Sequence, residues 1–179
     1  LSYAALLRML RTRAVAFLPV SALEVHGPHL PLGQDQAMAR WMAEEPGRRF
    51  AERHPDWTVV QLPQLAIGAD ELPLPGTMEI ASRTLYAALL ATGRSLVRAG
   101  FENVVVTNGH GGPRHAAAIE AACRRISRRF GIRMFSPSIV VLHRIVTGGR
   151  SARVEELLGR PLDARESVAV LSGEHAGTW

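Results

Sequence analysis

The chain has 179 residues, 47% of them hydrophobic and 21% charged, with a formal net charge of +5 and a single cysteine. That is the size and composition of one soluble domain, residues 1–179, with room for a sizeable core. Lone Cys123 excludes an intrachain disulfide and a cysteine-rich zinc site and suits a reducing cytoplasm, and no apolar run reaches the length of a membrane span.

Residues 2–12 read as an amphipathic helix rather than a signal peptide. Ala14–Val20 is an apolar strand that runs into a long turn-rich loop. Ala37, Trp41 and Met42 give helical spacing from Gln36 to about Glu45, and the pattern resumes after Pro46-Gly47 through Arg53. Thr58–Leu62 is a short strand, and Pro63 to Gly76 is a Pro- and Gly-rich loop. Ser82–Arg98 is a helix with Ser82 as its N-cap and Gly100 beyond its end. Asn103–Thr107 is a strand. Pro113–Arg129 is a helix with Pro113 in its first turn and Gly131 just past its end. Ile132–Phe135 and Ser138–Leu142 read as strand bent at Pro137, and Val154–Leu158 as a short helix. Strand–helix alternation with fully apolar, β-branched strands predicts an α/β fold with a mostly parallel sheet covered on both faces.

Every basic residue is arginine. The densest group, Arg124-Arg125-x-x-Arg128-Arg129, lies toward the C-terminal end of a helix, where cations complement the dipole. No aromatics are interleaved to stack on bases, so nucleic acid is not an expected partner.

The chemistry concentrates where strands end. Glu24 and His26 follow the first strand two residues apart, a spacing that points both side chains to one side of extended backbone. Asp35 arrives after a Gly-Pro-His-Leu-Pro-Leu-Gly segment able to fold back on itself. His110 lies in the Gly-rich loop after a second strand. Glu, His and Asp together suit zinc, manganese or iron. Taken singly, Glu24 and His26 also read as loop residues, and Asp35 also reads as an N-cap before Gln36. His29 reads as loop packing or as a support behind the ligands and His115 as structural, while His54 and His143 have no motif around them. Asn108-Gly-His-Gly-Gly could instead cradle a phosphate, but it lacks the Lys-Ser/Thr of a P-loop.

Four segments resemble the creatininase (creatinine amidohydrolase) family: Glu24-x-His26-Gly-Pro-His-Leu-Pro-Leu-x-x-Asp35, Pro75-Gly-Thr77, Asn108-Gly-His-Gly-Gly112 and Glu174-His-Ala-Gly177. The first is long and specific, and their order follows the family across nearly the whole chain. The resemblance implies a three-layer α/β/α fold, a homo-oligomer (often a hexamer) and a metal-dependent amidohydrolase acting on a small-molecule amide. It implies that Asp35 bridges two ions, with Glu24 and His110 on one and His26 on the other. A water made acidic by the metal then attacks the carbonyl carbon. His175, with Glu174 beside it, is implied as the donor of a proton to the leaving nitrogen; alternatively the two are only a terminal pair.

In two places the chain departs from the family. Creatininase itself places a second-metal Glu at the position of Gly112, whereas relatives with Asn-Gly-His-Gly-Gly draw a Glu from a continuation of the His-Ala-Gly segment. The chain starts without Met and stops at Trp179 within that segment, as a piece of a longer protein would. Ala69-Asp70-Glu71-Leu72-Pro73-Leu74 stands where many relatives carry a Glu-His pair, which counts against creatinine as the substrate. The competing readings are a non-catalytic assembly protein that keeps the fold and a nucleotide-binding domain that uses the Gly-rich loop.

Overall fold

A computed structural model describes residues 2–9, 12–138, 140, 155–156 and 158–164. In chain order the elements are α1 (Tyr3–Met9), β1 (Arg13–Pro19), α2 (Gln34–Arg53), β2 (Trp57–Gln61), α3 (Ser82–Arg98), β3 (Asn103–Thr107), α4 (Pro113–Phe130) and β4 (Arg133–Phe135). The four strands form one all-parallel sheet in the order β2-β1-β3-β4.

Alternation along β1 sets the layers. Val15 and Phe17 face α2, where they pack with Ala43 and, at the edge of the cluster, Phe50. Ala16, Leu18 and Val20 face the opposite way, into a larger core with Val104 and Val106 of β3, Leu85 and Leu89 of α3, and Ile119, Ala122 and Ile126 of α4. The sheet is therefore covered on both faces, as parallel sheets are. Helices α3 and α4 meet closely at Gly93, where a Cβ would come within 2.7 Å of Ile126. Cys123 is buried in this core, and burial pushes its thiol up to about 12, which makes it a packing residue.

Four sequence expectations change. Helix α2 runs unbroken through Pro46. Proline has no N–H and its ring crowds the preceding turn; here Gln61 Nε2 donates to the Ala43 carbonyl at 2.9 Å and supplies a partner beside the disturbed turn. Buried Gly47 lets the helix lie against β2, since a Cβ there would meet Gln61 Nε2 at 2.5 Å. Ser82 lies inside α3, whose N-cap is Ala81 with no side-chain cap. Asp35 is likewise inside the first turn of α2, capped by Gly33, so it is not an N-cap. Ser138 and Val140 are helical rather than extended. Ser136-Pro137 precedes that turn, with Ser136 Oγ accepting the Ser138 N–H at 3.4 Å. The rest of the expected Ser138–Leu142 strand lies outside the described residues. Of the expected Val154–Leu158 helix, Glu155, Glu156 and Leu158 are helical.

Candidate metal centre

After β1 the chain crosses to β2 on one side of the sheet, and β3 returns on the other side. The ends of β1 and β3 therefore flank the switch point of the sheet, where open α/β sheets place their sites. The loop after β1 is tied down at several points. Val20 N–H donates to Thr107 O at 2.8 Å, Glu24 N–H to Leu32 O at 3.1 Å, and Val25 N–H to Thr77 Oγ1 at 3.2 Å. Thr77 belongs to the Pro75-Gly-Thr segment, so that segment positions the metal loop. The loop after β3 is wrapped around Asn108, which donates Nδ2–H to His110 O at 2.7 Å and accepts the His110 N–H at 2.9 Å. A Cβ on Gly109 would collide with the Asp35 carbonyl, so only glycine lets this loop come down onto the start of α2.

These constraints bring four predicted residues together: Glu24, His26, Asp35 and His110, each 5% exposed or less. His26 Nε2 lies 3.1 Å from Asp35 Oδ1, and His110 Nδ1 lies 3.1 Å from Asp35 Oδ2. His110 Nδ1 is also 3.2 Å from Glu24 Oε2. Donor atoms of Glu24, Asp35 and His110 all fall within 4.8 Å of one another. Asp35 sits in the first turn of α2, where the helix dipole favours a carboxylate.

The second nitrogen of each ring determines what the first can do. His26 Nδ1 is 3.1 Å from the Glu24 carbonyl, and His110 Nε2 is 3.2 Å from the Ala69 carbonyl. A carbonyl only accepts, so those nitrogens carry the protons. In the neutral form that binds metals, each remaining lone pair is then aimed at an oxygen of Asp35. Lone pair against carboxylate is repulsive unless a cation lies between them. Two carboxylates and two imidazoles of this tautomer match the donor set of a divalent ion.

A third carboxylate was missed. Glu71, 7% exposed, has no hydrogen-bond partner for either oxygen among the described residues, and burial pushes its carboxyl up to about 7. One of its oxygens and one nitrogen each of His110 and His115 also lie within 4.8 Å of one another. His115 is fully buried, and its Nδ1 accepts the Ala69 N–H at 3.1 Å, which leaves the proton on Nε2. A protonated nitrogen cannot ligate, so His115 supports the site by packing its ring edge-on to His110, 4.9 Å between centroids. The sequence marked Glu71 only by its place in the segment 69–74, where many relatives carry a Glu-His pair, and gave it no role. A Cβ on Gly112 would come within 2.5 Å of His110 Nε2 and 2.9 Å of the Asp70 carbonyl, so the segment around Asp70 fills the space a side chain there would need. Burial pushes the Asp70 carboxyl up, but the backbone N–H and guanidinium of Arg114 outweigh it and hold it below the usual carboxylate range.

His29 is exposed, and His54 ends α2 with its ring 4.5 Å from Phe50. His143, Glu174 and His175 lie outside the described residues. Among the described residues, no helix is long and apolar enough to cross a membrane.

A parallel α/β sheet with a buried carboxylate–imidazole cluster at its switch point has the donor set of a divalent-metal site at the strand ends. The chain belongs to the creatininase family, "Creatinine amidohydrolase", whose model matches residues 1–179. It is 34% identical over 117 residues to the mycofactocin precursor peptide peptidase of Mycolicibacterium smegmatis, covering 64% of this chain and 47% of that protein. The counterpart from Mycobacterium ulcerans is 33% identical over 115 residues, covering 61% and 44%. The chain thus spans about half the length of the curated relatives it matches. A crystal structure of creatinine amidohydrolase matches with a TM-score of 0.57 and 27% identity over 76% of this chain and 54% of that one. A creatininase described with manganese matches with a TM-score of 0.56 and 28% identity over 75% and 53%.

Proposed function

We propose that the protein is a metal-dependent amidohydrolase that cleaves the C–N bond of a small amide: a cyclic amide, a formamide or a peptide-like substrate. The observation that carries this reading is the convergence of His26 Nε2 and His110 Nδ1, each 3.1 Å away, on the two oxygens of buried Asp35. Family membership and relatives named as peptidase and creatininase support the reaction class. Glu24, Asp35 and His110 would hold one ion, and Asp35 with His26 would hold a second. We propose zinc, with manganese or iron as ions the same donors accept; solved creatininases include a manganese form and a Zn-Zn form. Bound there, the ions supply Lewis acidity toward water and the substrate carbonyl.

The chain's own groups orient and move protons. The Leu72 N–H holds Glu24 Oε1 at 2.5 Å, and the Ala69 carbonyl fixes the His110 ring. Hydrolysis adds the oxygen of water to the carbonyl carbon, breaks the C–N bond and needs a proton on the departing nitrogen. His175, beside Glu174, delivers that proton. We further propose a cytoplasmic homo-oligomer, in keeping with the family and the single cysteine. The test is metal content and amide turnover of the protein before and after chelation. Turnover lost with EDTA and restored by zinc or manganese is the expected result; a chain that retains no divalent ion and hydrolyses no amide overturns the reading.

A further inference from the structure

Between β2 and α3, residues 69–72 supply backbone contacts to residues of both loops that carry the metal centre, the one after β1 and the one after β3. The Ala69 carbonyl accepts from His110, the Ala69 N–H donates to His115, and the Leu72 N–H donates to Glu24. Between them sits Asp70, the one non-glycine residue with a positive φ, 72°, among the described residues. An L side chain in that region is strained and persists only where its surroundings hold it.

What holds Asp70 is the start of α4. That helix has Gly112 at its N-cap and no side-chain cap of its own. Asp70 Oδ2 accepts the Arg114 backbone N–H at 2.8 Å, and Asp70 Oδ1 accepts Arg114 Nε at 2.5 Å. The Asp70 side chain is 13% exposed and the Arg114 side chain 75%. The backbone bond is therefore the sheltered part of the latch, and the guanidinium is the solvent-screened part. Asp70 caps α4 from a loop remote in sequence, and the same bond pins that loop in place.

We propose that Asp70 is a positioning residue for the metal centre, holding residues 69–72 so that Ala69 orients His110 and Leu72 orients Glu24. The inference rests on the metal reading of Glu24, His26, Asp35 and His110. It requires that loss of the cap weaken metal binding, since partners that orient ligands are typically worth about 10–100-fold in metal affinity.

The experiment is zinc and manganese titration by calorimetry of the wild type, Asp70→Gly, Asp70→Asn and Arg114→Ala, with the melting temperature of each metal-free protein. Asp70→Gly relieves the backbone strain and deletes only the latch; it should bind metal about 10–100-fold more weakly. Asp70→Asn tolerates the same φ and keeps a capping oxygen, so it should stay within about threefold of wild type. Arg114→Ala keeps the backbone N–H and should do the same. A glycine variant that binds like wild type while melting lower overturns the inference, because Asp70 is then structural only. An asparagine variant more than about tenfold weaker overturns the capping argument even if the glycine variant fails to fold. A wild type that binds no divalent ion overturns the metal reading and this inference together.

Discussion

Two individual side chains carry predictions that separate chemistry from packing. An amine leaves a tetrahedral intermediate poorly unless it is protonated as the bond breaks, and a histidine titrating near neutral pH can do this for about 10²–10⁴-fold. His175→Ala should therefore abolish amide hydrolysis while leaving metal content unchanged; turnover within about threefold of wild type removes His175 from the mechanism. Glu71 tests burial. Its ordinary value is 4.5 and burial raises it to about 7 in the folded chain. Below about pH 4.5 it is protonated in both states and makes no difference. Between 4.5 and 7 the unfolded chain loses a proton that the folded chain keeps, so stability falls as pH rises, and the penalty persists above 7. Glu71→Gln, measured metal-free, should melt like wild type near pH 4 and several degrees higher at pH 8. Equal curves at both pH values would show that Glu71 finds a partner in solution.

At the level of elements, the site depends on how closely β3 and its loop approach α2. Gly109 has no room for a Cβ against the Asp35 carbonyl, Met38 and Ala39. Gly109→Ala should push the His110 loop off the start of α2, destabilise the fold by about 1–3 kcal/mol as overpacking does, and weaken metal binding more than tenfold. Calorimetry and a urea melt check both, and retained affinity would show that the loop relocates without moving His110. Helix α2 makes the complementary point. It runs unbroken through Pro46, lying against β2 at Gly47 with Gln61 donating to the Ala43 carbonyl, so the break read from Pro46-Gly47 was sound local chemistry that the helix did not follow.

For the whole molecule, metal binding and folding are linked. An ion that binds only the folded chain adds about 2.7 kcal/mol at a hundred times its dissociation constant. Adding zinc or manganese to chelated protein should raise the melting temperature, and EDTA should reverse the gain. Binding should occur in two phases, with the Glu24/Asp35/His110 position filling before the one that relies on His26 and Asp35, because affinity follows ligand number and charge. Two equally tight ions in calorimetry would contradict this order.

The sequence alone determined whatever is local along the chain. It located the apolar strands β1 and β3, the amphipathic α3 and α4 with proline in the first turn and glycine after the end of α4, and the placement of Glu24, His26 and His110 in loops past the strand ends. Period, turn chemistry and motif spacing act over a few residues, so they can be read without a fold. The tertiary structure decided what depends on residues far apart in the chain. Asp70 caps a helix that begins at Pro113, Leu72 orients Glu24, and Gly112 has no room because the segment around Asp70 is already there. Glu71 looked like one more loop carboxylate until the packing of Gly68, Ala22 and two histidines around it closed off water. Burial and hydrogen-bond partnership are properties of what surrounds a residue, and no window on the chain contains them.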